Sequence, residues 1–458
     1  MKKTLFVLTL LSCATSLAFG QLSSAEKKNG WKSLFNGKNF DGWNQKNGKA
    51  KYEIRNGEIV GITTANTPNS FMCTNENYGD FILELDLKVD DRMNSGIQFR
   101  SLSTDDYMKG RVHGYQMEID PSDRAWAGGI YDEARRGWLC MPEDRPEAQN
   151  AFKHNDWNTY RIEAIGNTIR TWVNGVPISH LIDDLTPSGF IALQVHGIYG
   201  EMKEGMEIHW RNIKIKTENL TPSPYDDCPV VNLLDNDLSA QEKAQGFELL
   251  FNGKDFTGWR GVNQDGMAEK HWIVTDNNEI QVQASDGSET GNDIVTKAQY
   301  SAFELKFDFK LTEGANSGVK YFVDESYNRS GKSGIGLEYQ VLDDERHPDA
   351  KMGVVGNRTL ASLYDLIPSI KLDKRFQKKI GEWNHGRLVV YPDNTVQHWL
   401  NGFKVVEYTR KSNIFKALVA RSKYKKFEGF GEADAGPILL QDHGNNVFFK
   451  SLKIRTLN

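Results

Sequence analysis

Residues 114–120 read Gly-Tyr-Gln-Met-Glu-Ile-Asp. In an extended strand Gln116, Glu118 and Asp120 project from one side and Tyr115, Met117 and Ile119 from the other, so a polar row backs an apolar one. Two carboxylates and an amide so placed suit two chemistries. They can hydrogen-bond sugar hydroxyls, or they can serve as nucleophile and acid of a glycosidase. Retaining glycosidases hold their two carboxyl groups roughly 5 Å apart, which here would call for a second Glu further along the same strand face. Pro121 ends the strand instead, and no second Glu follows. Ordinary retaining chemistry is therefore disfavoured. A solvated outer face is the plain alternative, but such a face draws more on Thr, Lys and Ser, and Gln and Glu have little preference for strands.

The pattern returns at residues 336–343, Gly-Leu-Glu-Tyr-Gln-Val-Leu-Asp, where Glu338 answers Gln116 and Gln340 answers Glu118. Leu-Gln-x-His-Gly also occurs twice, at 193–197 and 440–444. Gln194 and His196 alternate onto one face, as do Gln441 and His443, and an imidazole is a natural general acid or base near neutral pH. A lone histidine is equally compatible with structural hydrogen bonding; its recurrence two residues after Gln favours the site. In Asn94-Ser95-Gly96 the glycine reads as a bulge position. Arg100, four residues on, is placed to bind a sugar or carbonyl oxygen, with a surface arginine as the alternative; Phe322 stands there in the second copy. Tyr131 and Tyr364, each followed by Asp, put a phenol at the groove or plug a turn. A divalent cation is compatible with these carboxylates and histidines, but no spacing requires one.

The elements that must position these groups are duplicated. Leu-Phe-Asn-Gly-Lys at 34–38 and 250–254, Gly-Trp at 42–43 and 258–259, Asn-Ser-Gly at 94–96 and 316–318, Trp-Asn at 157–158 and 383–384, and Trp-x-Asn-Gly at 172–175 and 399–402 recur in one order. Each copy has a comfortable single-domain size. Apolar and polar residues alternate over 81–89, 159–164, 207–215 and 303–311, turn residues separate the runs, and long amphipathic helices are absent. This predicts an all-β chain with one antiparallel two-sheet sandwich per copy. Asn174-Gly175 and Asn401-Gly402 read as type I′ hairpin turns. Pro222, Pro224 and Pro229 mark a linker that closes on a short helix, capped by Ser239 with Glu242 three residues on.

The net charge of −5 leaves no global basic field for nucleic acid. The basic run Arg421, Lys423–Lys426 reads as a solvated loop. Residues 1–20 read as an export signal: Lys2 and Lys3, the apolar run from Leu5 to Leu11, then Ala18-Phe19-Gly20 before the cleavage point. The expected location is periplasmic or secreted, with a lipid anchor on Cys13 of Leu-Leu-Ser-Cys as the minor alternative. No run approaches the roughly 18 apolar residues of a membrane span. Past the signal only Cys73, Cys140 and Cys228 remain, an odd set without a C-x-x-C pair, so neither a disulfide framework nor a zinc ribbon is expected.

Taken together, the Phe-Asn-Gly-Lys and Gly-Trp opening, Asn-Ser-Gly, the Gly-x-Gln/Glu-x-Glu/Gln strand, Tyr-Asp, Trp-Asn, Asn-Gly and Leu-Gln-x-His-Gly resemble the 3-keto-disaccharide hydrolase (DUF1080) family. The resemblance covers residues 31–216 and 246–457, leaving 217–245 as the linker. It implies two concanavalin A-like (lectin/glucanase) jelly-roll sandwiches, export, and action on glycosides oxidised at C3 by a partner sugar 3-dehydrogenase. A ketone at C3 acidifies the proton on C2. An enzyme then needs a base for that proton, an acid for the oxygen leaving C1, and donors or a cation for the enolate. Elimination gives a lyase outcome, and adding water completes net hydrolysis. No covalent nucleophile is required. On strand parity Glu118 or His196 is the base in the first copy, with Gln116, Asp120, Tyr131, Gln194 and Arg100 around the sugar. Glu338 and His443 take those roles in the second, with Gln340, Tyr364 and Gln441. The alternative is a non-catalytic tandem lectin-like protein that binds carbohydrate.

Overall fold

The computed structural model describes residues 22–200, 203–267, 270–285, 292–329, 331–371 and 376–458. Residues 1–20, read above as an export signal, and Cys13 within them lie outside the described residues. The chain divides into two compact units, one of residues 1–180 and 184–228, the other of 181–183 and 229–458.

In the first unit Phe81–Val89 shows how the sequence builds a sheet. Phe81, Leu83, Leu85, Leu87 and Val89 are buried while Lys88 is exposed, as period-two alternation requires. This strand sits within an antiparallel sheet ordered Val176–Ile182, Thr168–Val173, Asn158–Ile165, Phe81–Val89, Glu207–Lys216, Glu58–Ile62 and Lys51–Arg55. The second sheet runs Gly137–Cys140, Ile130–Glu133, His113–Ile119, Ser95–Leu102, Phe190–Val195, Ser70–Thr74 and Trp43–Asn47. The sheets face each other through Phe81 and Phe99, whose ring centroids lie 6.4 Å apart. Tyr52 donates across the gap to the Leu193 carbonyl at 2.9 Å. Tyr115, Met117 and Ile119 are fully buried on the core side, so the alternate residues of that strand line the opposite face.

The second unit repeats the plan. One sheet is ordered Trp272–Val274, Ile280–Val282, Val447–Thr456, Phe303–Leu311, Trp383–Val390, Thr395–Leu400 and Phe403–Thr409; the other is ordered Trp259–Gly261, Ile294–Thr296, Leu439–Leu440, Asn316–Asp324 and Ile335–Leu342. Phe307 and Tyr339 meet edge-on between them at 5.2 Å. Both units are antiparallel β-sandwiches of the concanavalin A-like, jelly-roll kind, and the chain is all-β apart from short helices such as Ala240–Ala244, which Ser239 and Glu242 cap reciprocally. No helix among the described residues is long and apolar enough to cross a membrane.

Two of the repeated motifs form one knot. Asn174 and Gly175 both have positive φ, 52° and 82°, as the type I′ turn demands. The Asn174 side chain donates to the Ala151 carbonyl and to Asn158 Oδ1, both at 2.8 Å, and accepts from the Thr159 amide at 2.9 Å. Asn401 does the same with Phe376, Asn384 and His385 at 2.6, 2.9 and 2.8 Å. Trp-Asn and Trp-x-Asn-Gly thus recur together because one asparagine holds the other. Asn174→Gly keeps the turn conformation and loses three hydrogen bonds, which should cost about 2–3 kcal/mol in urea unfolding. Asn174→Ala should cost about 1 kcal/mol more, because a Cβ is then strained at positive φ. Equal stability of the two variants would remove the backbone part of this account.

Candidate active site

On the outward face of the second sheet of unit one, Gln116 is the hub of a buried amide and carboxylate network. Its Oε1 accepts from Gln98 Nε2 at 2.6 Å and from Gln194 Nε2 at 2.9 Å, and its Nε2 donates to Glu118 Oε2 at 2.8 Å. Asn94 Nδ2 donates to the other Glu118 oxygen at 2.6 Å. Gln194 Oε1 is buried with no partner among the described residues, so an acceptor is left for a ligand hydroxyl.

Asn-Ser-Gly supports this network residue by residue. Asn94 holds Glu118. Ser95 Oγ donates to the Gln194 carbonyl at 2.6 Å and ties the neighbouring strand. Gly96 makes room, since a Cβ there would lie 2.3 Å from Gln116 Cδ. Gly96 is therefore not the bulge expected from the sequence. The register shift falls further on, between Phe99 and Leu102.

Burial raises the Glu118 carboxyl to about 7, reinforced by Asp120 and opposed by the Asn94 and Gln116 hydrogen bonds and by Arg124. Arg124, which the sequence reading passed over, places its guanidinium 3.8 Å from Glu118 and donates to Asp120 Oδ2 at 2.8 Å. Asp120 also accepts from Ser122 Oγ at 2.7 Å, so it holds Arg124 and has little left for a ligand. The guanidinium lies 4.4 Å over Trp126 and 5.0 Å over Trp138. Tyr131 meets Trp138 edge-on at 5.2 Å. Tyr131, Trp138 and Arg124 are all partly exposed, and form an aromatic and cationic wall beside the carboxylate.

A second acid stands across from it. Glu133, also missed, is buried, and its carboxyl is pushed up chiefly by that burial, opposed by Arg111, His196 and Asn69. Arg111 approaches it at 3.3 Å and Asn69 at 3.5 Å, and Asn69 Oδ1 accepts from the Gly197 amide at 2.9 Å. His196 is half-buried, with Nδ1 2.8 Å from the Gly197 carbonyl. With that nitrogen donating, Nε2 is the acceptor in the neutral ring. The Tyr131 phenol is raised by burial and then by Glu133 and Glu118, so it feels both acids. The structure thus gathers Gln116, Glu118, Asp120, Tyr131, Gln194 and His196 on one side of the sheet.

Arg100 is not among them. At the bulge it takes φ +44° and turns off the polar face. It is buried, donating to the Gly79 and Gly166 carbonyls at 2.8 Å each and to Asp80 at 3.0 Å. Strand parity placed it wrongly because a bulge reverses parity.

The second unit keeps the positions and changes the groups. Lys320 pairs with Glu338 where Gln98 pairs with Gln116. Lys320 donates to the Gly334 carbonyl at 3.0 Å and faces Asp293 at 3.6 Å. Glu338 lies over Gly318, where a Cβ would stand 2.3 Å from its Oε1. Gln340 does not reach it; its Oε1 accepts from the Val341 amide at 2.9 Å. Gln441 is half-buried, and its carbonyl takes the Ser317 hydroxyl at 2.7 Å, as Gln194 takes Ser95. Tyr364 donates to Asp349 Oδ2 at 2.7 Å. His443 is exposed, with His347 at 5.6 Å between ring centroids. Among the described residues no three His, Cys, Asp or Glu side chains gather as ligands for a metal ion.

Fold and site define a tandem jelly-roll protein in which one sheet of each unit carries a buried polar row. The chain belongs to the 3-keto-alpha-glucoside-1,2-lyase-like domain family, which it matches over residues 30–216 and 246–455. It is 35% identical over 237 residues to a 3-keto-disaccharide hydrolase of Bacteroides thetaiotaomicron, covering 47% of this chain and 80% of that one. A Parabacteroides distasonis structure provisionally described as a glycosyl hydrolase is 34% identical, covers 49% of this chain and all of its own, and has a TM-score of 0.43. A second such structure from the same organism is 27% identical, covers 46% and 99%, and has a TM-score of 0.34.

The raised Glu118 carboxyl makes stability depend on pH. From the unfolded value of 4.5 up to the folded value of about 7, the folded state holds a proton that the unfolded state has lost. The contribution is fully present below that window, falls as pH rises through it, and stays flat above. Glu118→Gln removes it. The melting temperature of the variant minus that of the wild type should therefore rise between those pH values and then level. A constant difference would mean that Glu118 is not raised.

Proposed function

We propose that the chain is an exported glycoside-cleaving enzyme acting on 3-keto-glycosides, by proton removal at C2 and elimination at C1. The observation that carries this reading is Glu118. It is a buried carboxylate poised at about 7, held from behind by amides, with the Arg124 guanidinium beside it. A base for a C–H proton works best with a pKa near ambient pH and a fixed orientation. Glu118 takes the C2 proton. Arg124 stands in the place first sought for Arg100, as the cation that steadies the enolate oxygen. The Gln194 acceptor and the Tyr131–Trp138 wall hold the ring. Glu133 and His196, across Tyr131, supply the proton to the oxygen that departs from C1. The pair of acids is not a nucleophile and acid/base pair, because the reaction forms no glycosyl ester.

This reading rests on family membership together with that geometry. The 3-keto substrate of the Bacteroides relative enters as its chemical premise. A partner sugar dehydrogenase would supply the ketone. The signal at residues 1–20 supports a periplasmic or secreted location.

The purified chain, given a chromogenic 3-keto-β-glucoside and its unoxidised parent, should release aglycone from the keto form alone. Release from the parent would point to ordinary glycosidase chemistry. Release from neither, across several linkages, would leave a carbohydrate-binding protein. Glu118→Gln should lower kcat by about 100-fold or more, the usual weight of a general base, while KM changes little. In the wild type kcat/KM should climb with pH to about 7 as Glu118 loses its proton, and the variant should lack that limb. A limb that persists in the variant would assign the base to another group.

A further inference from the structure

In the first unit the members of the polar row satisfy one another. Asn94 and Gln116 donate to Glu118, and Gln194 donates to Gln116. The second unit has the same positions without those bonds. Asn316, Gly318 and Lys320 share one face of their strand, and Glu338 and Gln340 stand across from Lys320 and Gly318. Glu338 Oε1 lies over Gly318, where a Cβ would stand 2.3 Å from it. Gln441 flanks the same glycine from the other side, its backbone amide donating to the Gly318 carbonyl at 3.0 Å.

Among the described residues three side chains of this row form no hydrogen bond: the Asn316 amide, the Glu338 carboxyl and the Gln441 amide. Asn316 and Glu338 are only 3% and 4% exposed, and buried polar groups are as a rule paired. Their neighbours do not relieve them. Lys320 is committed to the Gly334 carbonyl at 3.0 Å and to Asp293 at 3.6 Å. Gln340, at the position of the base Glu118, turns its Oε1 to the Val341 amide at 2.9 Å. The row is complete only when a ligand supplies the partners.

The unused groups define that ligand. The two amides offer donors and acceptors, and a carboxylate offers acceptors. A hydroxyl both donates and accepts, so a molecule with several adjacent hydroxyls answers all three. A metal ion would leave the amide N–H groups unused, and an anion would face Glu338. Stacking on an aromatic ring is not open to the ligand either. Tyr364 is buried, with the Lys423 ammonium 4.0 Å and the Arg358 guanidinium 5.4 Å from its ring centre. The turn Lys423–Lys426 that brings this lysine is not the solvated loop its composition suggests. Its first amide donates to Asp365 at 2.8 Å, and Tyr424 is buried in a stack on Phe430 at 4.0 Å.

We propose that the second unit is a binding site for a neutral, unoxidised sugar, held through its hydroxyls by Glu338, Asn316 and Gln441. An unoxidised ring has a donor at each carbon that bears a hydroxyl, and a ketone at C3 has none there. A row whose carboxyl lacks donors therefore suits the ring before oxidation. This goes beyond the cleavage reading, which concerns the first unit.

The test is titration calorimetry of the full chain with the unoxidised parent β-glucoside and with cellobiose, alongside aglycone release from the keto form. Both sugars should bind. Glu338→Leu, which keeps the bulk and removes the acceptors, should raise Kd about tenfold or more, the weight of a hydrogen bond to a charged group. Gln441→Leu, at a half-buried position, should weaken binding in the same direction, and Glu118→Gln should leave it in place. Unchanged thermal unfolding of the two leucine variants excludes misfolding as the cause. No binding, or binding that survives both leucine variants, overturns the proposal, as does loss confined to Glu118→Gln. Tighter binding of a methyl glucuronide than of the neutral glucoside overturns the neutral-sugar assignment. Release from the keto form without binding of the unoxidised sugars overturns this proposal and spares the glycoside-cleaving reading. Binding without release does the reverse.

Discussion

A carboxylate taken out of water must be given donors, a cation or a proton, and the first unit is arranged around that requirement at Glu118. Gln116 serves because an amide can donate to the carboxylate while accepting from two further amides. That places a long side chain flat across the neighbouring strand, and only a glycine at position 96 leaves the space. The neighbouring strand must then be held in register, and the Ser95 hydroxyl does so through the Gln194 carbonyl. Each step follows from the one before. With Gln116 and Glu118 each paired through both polar atoms, neither can reorient without leaving a further buried group unsatisfied, so the site is preorganised before any ligand arrives.

The two units show what the scaffold holds fixed and what it releases. Glycine over the central side chain, serine to the adjacent carbonyl and the asparagine knot at the hairpin occur in both. The groups above them differ. Gln98 with Gln116 becomes Lys320 with Glu338, so a neutral hydrogen-bonded pair becomes an amine facing an acid. Asn316 stands where Asn94 holds Glu118, and its Oδ1 is buried with no partner among the described residues. One face is organised by amides around an acid, the other by charges.

The sandwich, its strand faces and the central carboxylate were legible because they rest on period-two alternation, which every strand repeats. The Gly-Tyr-Gln-Met-Glu-Ile-Asp strand has its apolar side in the core, as the alternation requires. Arg124, Trp138, Glu133 and Gln98 were not legible for separate reasons. Arg124 belongs to a connection whose path no periodicity describes, and Trp138 to the strand Gly137–Cys140, which is too short to show alternation. Glu133 lies in a short strand next to two arginines, where a surface ion pair is the ordinary expectation. Gln98 follows the Asn-Ser-Gly motif by two residues, and strand parity could have found it: Gly96 and Gln98 share a face, and Gln98 pairs with Gln116.

Arg100 shows how an aligned difference can mislead. Arginine in one copy and phenylalanine in the other suggested that one site had a cation and the other lacked it. Both residues occupy the same left-handed bulge, at φ +44° and +50°. In the first unit the guanidinium comes from the bulge residue and satisfies the carbonyls of Gly79 and Gly166. In the second it comes from Arg410, which lies 3.3 Å over the Phe322 ring and donates to the carbonyls of Gly431 and Ala433. Buried carbonyls near a bulge need a donor, and either chain segment can bring it. The arginine therefore marks a shared structural requirement. What separates the two units chemically lies instead where the sequences look most alike, in the exchange of glutamine and glutamate along one strand and of glutamine and lysine along the next.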